Sequence, residues 1–233
     1  MLTTNKLFKW VNSGFGQIFL LRDINMSIAK GEFVSIMGPS GSGKSTLLNV
    51  LGMLDDFNEG EYEFMGHQVH TLKDEQCSDL HRNYIGFIFQ AYHLIDELTV
   101  AENIEAPLFY HGVKQSERKA AVADILDRFN IVGKKDLFPS QLSGGQQQLV
   151  GIARALIIKP KLLLADEPTG NLNSKQGEEI MQVFTTLNKE EGMTIVQVTH
   201  SEKNAAYGHR IIELLDGMIV NSKDSKTHER VRP

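Results

Sequence analysis

The nine residues Gly38-Pro39-Ser40-Gly41-Ser42-Gly43-Lys44-Ser45-Thr46 constrain this chain more than any other stretch. They satisfy G-x-x-x-x-G-K-[ST], and they sit between an apolar run, Phe33 to Met37, and a helical pattern from Ser45 to Leu54. Glycines let consecutive backbone N–H groups curl around phosphate oxygens without Cβ clashes, and the following helix N-terminus adds partial positive charge. In such a loop Lys44 reaches the β- and γ-phosphates and the Ser45 hydroxyl ligates Mg²⁺. A flexible Gly/Ser linker is the plain alternative, and it leaves the flanking strand and helix unexplained.

A phosphate loop of this kind belongs in an α/β fold with a largely parallel sheet, and the chain alternates accordingly. Leu162 to Ala165 and Thr194 to Thr199 are two further short apolar or β-branched runs of strand type. Ile211 to Leu215 and Met218 to Val220 flank Asp216-Gly217, a hairpin turn signal. From about Val100 to Lys159 strand character fades, and Val122, Ile125, Leu126 and Phe129 recur at helical spacing. That middle reads as a helical subdomain inserted into the α/β core. Asn221 to Pro233 is polar and charged, and is expected to be loosely packed.

Composition removes several alternatives. With 24 Lys+Arg against 29 Asp+Glu, and a net charge of -5, nothing suggests a nucleic-acid binder held by a basic surface. Cys77 is the one cysteine, so no intramolecular disulfide framework exists and a reducing compartment is expected. No apolar run approaches the ~20 residues needed to cross a bilayer, and Met1 to Trp10 lacks the apolar core of a secretory signal. A cytoplasmic protein is expected. His67 and His70 are too isolated to suggest zinc. Gln115 to Lys119 reads as a solvated helix start, and Phe87 and Phe89 as core.

Two further motifs narrow the chemistry. Lys161-Leu162-Leu163-Leu164-Ala165-Asp166-Glu167 is an apolar strand ending in two acids. Asp166 at the strand's carboxyl edge is placed to hold Mg²⁺. Glu167, one residue on, can accept a proton from an attacking water, help typically worth about 10²–10⁴ in rate. In Leu142-Ser143-Gly144-Gly145-Gln146-Gln147-Gln148, Ser143 and Gln146 form a capping box opening a helix to about Ile158. Two glycines at that helix start also expose N–H groups to an approaching anion.

Together with the phosphate loop, that turn resembles the signature of the ATP-binding cassette, and nearly the whole chain is similar to an ABC transporter ATPase subunit. Ser35 to Leu48, Leu98 to Asn103 and Ala165 to Leu172 are similar to the MacB/LolD-like group of macrolide exporters and lipoprotein-releasing systems. The resemblance implies a P-loop ATPase core, about 1–95 and 160–220, an inserted helical subdomain, about 96–159, and an N-terminal antiparallel β subdomain. It implies ATP and Mg²⁺ as ligands. Gln90 matches the glutamine that senses Mg²⁺ and the attacking water, His200 the switch histidine at the γ-phosphate, and Asn171 to Ser174 the D-loop. Two copies are expected to pack head to tail. Each site then uses Gly38 to Thr46, Gln90, Asp166, Glu167 and His200 of one chain, faced by Ser143, Gly144, Gly145 and Gln146 of the other. The implied partner is a MacB- or FtsX-type permease at the inner face of the cell membrane.

Three positions depart from the family pattern. Asn173 stands where Asp is usual in the D-loop, and Leu149 where Arg is usual after the signature. Val11 stands where an aromatic ring usually stacks on adenine, leaving Trp10 or Phe15 as substitutes. Other functions fit less well. A P-loop kinase or GTPase would give Ser143 to Gln148 no role, and cassettes acting on DNA or ribosomes carry coiled-coil insertions or a fused second cassette. An FtsE-like regulator of cell-wall hydrolysis shares this architecture and differs chiefly in its membrane partner, and antimicrobial-peptide-resistance ABC ATPases are a further similar group.

Overall fold

A computed structural model describes residues 1–14 and 16–225. The chain opens with β1 (Leu2–Ser13), β2 (Gly16–Ile28) and β3 (Phe33–Met37), then α1 (Lys44–Leu51), β4 (Glu59–Phe64) and β5 (His67–Gln68). It continues through α2 (Asp74–Tyr84), β6 (Ile85–Ile88), α3 (Val100–Tyr110), α4 (Gln115–Arg128) and α5 (Gly144–Leu156). β7 (Leu162–Asp166), α6 (Ser174–Glu191), β8 (Thr194–Thr199), α7 (Glu202–Ala205), β9 (Arg210–Leu215) and β10 (Met218–Asp224) complete it.

Two sheets organise these elements. A four-stranded antiparallel sheet runs β2-β1-β4-β5, and a six-stranded sheet runs β10-β9-β3-β8-β7-β6. In the larger sheet β9, β3, β8, β7 and β6 are parallel, and β10 closes the edge antiparallel to β9. Both faces of its central strands are covered, which explains why they read as continuous apolar runs. Leu162 and Leu164 of β7 face one core with Val34, Ile36, Val196 and Val198, where α1 and the antiparallel sheet pack. Leu163 and Ala165 face the other core with Ile195 and Phe33, against α3 to α6. Each fully buried leucine in these layers stabilises the fold by roughly 1.5–3 kcal/mol.

Between β6 and β7 lie three helices of eleven or more residues and no strand. Val122, Ile125 and Leu126 are buried as their spacing requires. A capping box starts α3, with the Glu102 amide donating to Thr99 Oγ1 and Thr99 N–H returning to Glu102. α4 begins at Gln115 on exposed residues, and its Arg118 reaches back to Glu105 of α3 at 2.6 Å.

The structure corrects several expected boundaries. α1 stops at Leu51 rather than Leu54, because Met53 turns left-handed (φ 55°) and its amide bonds the Val50 carbonyl, three residues back, at 3.0 Å. α5 stops at Leu156 rather than Ile158; Lys159 turns left-handed (φ 54°) ahead of Pro160. The supposedly loose tail is ordered through Asp224, since β10 pairs with β9 as far as Asp224↔Arg210. Residues 226–233 lie outside the described residues. The hairpin turn is as expected, with Asp216 and Gly217 both at positive φ (48° and 77°).

α1 is anchored at its end as well as along its face. Tyr62 of β4 is fully buried, and its hydroxyl donates to the Leu51 carbonyl at 2.7 Å, one of the acceptors a helix C-terminus leaves without an intrahelical donor. Tyr62→Phe keeps the ring and strands that carbonyl, so it should cost about 1–2 kcal/mol. Urea titration should show a lowered midpoint at unchanged slope, and an unmoved midpoint would mean that another donor satisfies Leu51.

Candidate active site

Register in the parallel sheet assembles the site. Met37 pairs with Thr199 across β3 and β8, and Asp166 with Val198 across β7 and β8. The residues that follow these strand ends therefore emerge side by side at the carboxyl edge, where open α/β sheets bind ligands. A cavity of about 930 Å³ lies there. Its floor is Ser40, Gly41, Gly43 to Thr46, Gln90, Asp166, Glu167 and His200, and its far wall is Ile18, Phe19, Leu20, Arg22, Asp216 and Gly217.

The phosphate loop is held tightly from outside. A Cβ on Gly38 would lie 2.1 Å from the Leu214 carbonyl oxygen, and one on Gly43, the left-handed N-cap of α1 (φ 97°), 2.7 Å from the Leu20 carbonyl oxygen. The Gly217 amide donates to the Ser42 carbonyl at 3.0 Å, and the Arg22 amide to the Gly217 carbonyl at 2.7 Å, so the β9–β10 turn bridges loop and β2. Lys44 is 9% exposed and donates to the Gly38 and Pro39 carbonyls, each at 2.9 Å. Its ammonium thus rests on the loop's own oxygens, in position to exchange them for phosphate.

The acids lie opposite. The Ser45 hydroxyl donates to Asp166 Oδ1 at 3.1 Å. Burial pushes the Asp166 carboxyl above the usual carboxylate range, and the Glu167 charge adds to this, while the Ser45 hydrogen bond and the Lys44 ammonium oppose it. Glu167 is left-handed (φ 44°) and its amide bonds the Val198 carbonyl at 3.0 Å, which turns its side chain away from Asp166's path along the strand. Its Oε1 lies 2.9 Å from His200 Nδ1. Ser45, Asp166 and Gln90 offer hard oxygen donors on one side of the cavity, a set that fits Mg²⁺ and does not fit a soft-ligand metal.

Ser143, Gly144, Gly145 and Gln146 are not brought to this cavity. Their capping box forms as expected, with Ser143 N–H to Gln146 Oε1 at 3.0 Å and the Gln146 amide to Ser143 Oγ at 3.4 Å. Both glycines sit close to neighbouring side chains: a Cβ on Gly144 would meet the Tyr92 hydroxyl at 2.8 Å, and one on Gly145 the end of the Gln176 side chain at 2.9 Å, so either addition would make that side chain shift. Asn173, a departure from the family pattern, caps α6, accepting from the Gln176 amide at 3.0 Å. Asn and Asp are near-equal N-caps, a signal already legible in Asn173-x-x-Gln176.

Two aromatic expectations change. Trp10 does not line the cavity; it packs behind Phe19, ring centroids 5.4 Å apart, and Phe19 is the wall residue, with the Arg22 guanidinium 5.1 Å over its ring. Phe15 lies outside the described residues. The cross-strand pairing Trp10↔Phe19, which only the hairpin register reveals, is what puts Phe19 there. Phe87 and Phe89 are only partly buried. They stack at 4.4 Å and line a second groove of about 370 Å³ between β6, α3 and α5, together with Pro107, Tyr110 and Arg154.

Comparison with known proteins agrees with this geometry. The family model for the ABC transporter matches residues 21–170. The macrolide export ATP-binding/permease protein MacB of Mannheimia succiniciproducens is 43% identical over 98% of this chain and 35% of its own length. The probable syringafactin export ATP-binding/permease protein SyfD of Pseudomonas syringae is 44% identical over 99% of this chain and 36% of its own. The chain therefore spans about a third of the length of these curated relatives. A dimeric post-hydrolysis structure of the ATP-binding cassette MJ0796, bound to ADP and Pi, superposes with TM-score 0.90 at 42% identity, covering 97% of this chain and 99% of that one. This chain belongs to the ABC transporter family, as one of its ATP-hydrolysing cassettes.

Proposed function

We propose that the chain powers a MacB-type exporter by closing head to tail with a second copy around two ATP molecules. The observation that carries this reading is the separation of Ser143 to Gln146 from the cavity that holds Lys44, Asp166, Glu167, Gln90 and His200. One chain then offers two complementary half-sites on different faces, and dimeric relatives of the same fold support their pairing. The helical segment, about 96–159, acts as a subdomain that carries the signature half-site on the ATPase core, about 1–95 and 160–220.

In the closed pair Lys44 leaves the Gly38 and Pro39 carbonyls for the β- and γ-phosphate oxygens, and the loop amides take the rest of the triphosphate charge. Ser45, Asp166 and Gln90 would hold Mg²⁺, which when bound neutralises charge shared by the β- and γ-phosphates. Glu167 orients a water in line with the γ-phosphate and takes its proton. His200, hydrogen-bonded to Glu167, fixes that carboxylate and turns its other ring nitrogen toward the γ-phosphate. Ser143 and the Gly144 and Gly145 amides of the opposite copy add donors where negative charge spreads.

The permease docks, on this reading, in the groove floored by Phe87 and Phe89. That groove is apolar and open, and Phe89 in its lining immediately precedes Gln90, so an occupant would bear on the loop that carries Gln90. A MacB-type partner is supported by the 43–47% identity to MacB proteins across most of the chain. Relatives of nearly equal similarity are named for macrolide and for syringafactin export, so cargo choice belongs to the permease. The working place is the cytoplasmic face of the membrane, held there by that partner.

Three outcomes check the proposal. Glu167→Gln should bind ATP as the native chain does, lose turnover by about 10²-fold or more, and accumulate an ATP-bound dimer in light scattering; native turnover would remove Glu167 as the base. Lys44→Ala and Ser143→Arg chains, each inactive alone, should regain hydrolysis when mixed, because one of the two sites in a mixed pair is intact. Failure of mixing to restore any activity would rule out head-to-tail sharing. Tyr110→Glu, at a position 77% exposed beside the groove, should abolish stimulation by the detergent-solubilised permease and leave basal hydrolysis unchanged.

A further inference from the structure

The loop that carries Gln90 passes through two successive left-handed residues, Tyr92 at φ 59° and His93 at φ 46°. One such non-glycine residue is uncommon, and two in a row persist only when their surroundings hold them. Here the holding is specific. Arg154, near the end of α5, donates from Nη1 to the His93 carbonyl at 2.6 Å and from Nη2 to the Tyr92 carbonyl at 2.9 Å. Among the described residues Arg154 forms no ion pair. Its half-buried guanidinium serves these two oxygens instead of a carboxylate. Upstream, Asn171 Nδ2 donates to the Gln90 carbonyl at 2.9 Å, so the loop is gripped on both sides of Ala91.

Three functional surfaces converge on this grip. Arg154 shares α5 with the signature turn, and the Tyr92 hydroxyl packs directly against Gly144 at the start of that helix. Arg154 also lines the groove of Phe87 and Phe89, and the His93 ring packs on Phe89 at 4.6 Å between centroids. At the other end of the same loop, Gln90 reaches the nucleotide cavity. A planar fork fixes two neighbouring carbonyls in one geometry; an ammonium on its flexible stem can reach two oxygens but holds them far less rigidly.

We infer that Arg154 is a positioning residue for Gln90: its fork imposes the left-handed path at Tyr92 and His93, and that path aims the Gln90 side chain into the cavity. The same bond pair makes α5, the groove and the nucleotide cavity move as one unit. The inference rests on the proposed role of Gln90, and its test separates the two.

The test compares native protein, Arg154→Lys, Arg154→Lys with His93→Gly, and Gln90→Ala. Amide hydrogen exchange across residues 89–95 of the nucleotide-free protein is measured beside kcat, KM for ATP and the melting temperature. Arg154→Lys should speed exchange locally and lower kcat by about tenfold or more, since small misplacements of a catalytic group are costly, with KM and melting temperature nearly unmoved. Adding His93→Gly should recover much of the lost kcat, because glycine takes φ 46° without a Cβ penalty. Native exchange and kcat in Arg154→Lys would overturn the inference, as would a lowered kcat that follows a lowered melting temperature or resists the glycine. Native kcat in Gln90→Ala would instead overturn the role given to Gln90, while the exchange data would still report on the fork.

Discussion

The in-register pairing of β3, β8 and β7 is the constraint from which the rest follows. It depends on side chains that alternate between two apolar layers, Leu162 and Leu164 to one side, Leu163 and Ala165 to the other. A slip of one residue would exchange these sets between cores of different shape. It would also shift Asp166 and Glu167 relative to the loop before Lys44. The distance of 3.1 Å between Ser45 and Asp166, across 121 residues of sequence, is therefore a product of hydrophobic packing rather than of any local motif. Chemistry at the carboxyl edge is exact because the cores beneath it tolerate only one register.

What was legible in the sequence was mostly what is local. The phosphate loop, the Ser143–Gln146 capping box and the Asp216-Gly217 turn each declare themselves within nine residues, because glycine freedom and side-chain capping act over that range. The antiparallel sheet at the N-terminus was accessible only through resemblance. The β1–β2 pairing shifts register between Thr4 and Trp10 of β1, which breaks the period-two alternation a strand is recognised by.

The rest was hidden for physical reasons that differ by residue. Phe19 reaches the cavity only through cross-strand pairing, and Phe87 and Phe89 look like core until the helices opposite them leave a groove open. The β10 extension through polar Asn221 to Asp224 is an edge strand, where the backbone ladder holds residues that contribute little apolar burial. The left-handed pair Tyr92–His93 carries no glycine or asparagine to announce it, since a guanidinium 61 residues away supplies what composition does not.

The bridging turn at Gly217 has a mechanical corollary. Its amide grips the carbonyl of Ser42 and its own carbonyl grips the amide of Arg22, so the final hairpin is a strut between the anion cradle and the amino-terminal sheet. Tension applied along β10 would reach the cradle by two routes, the hydrogen bond from Gly217 to Ser42 and the β9–β3 ladder that runs into the loop. A displacement of this hairpin is therefore shared between the core sheet and the loop ahead of Lys44, and neither can yield without the other.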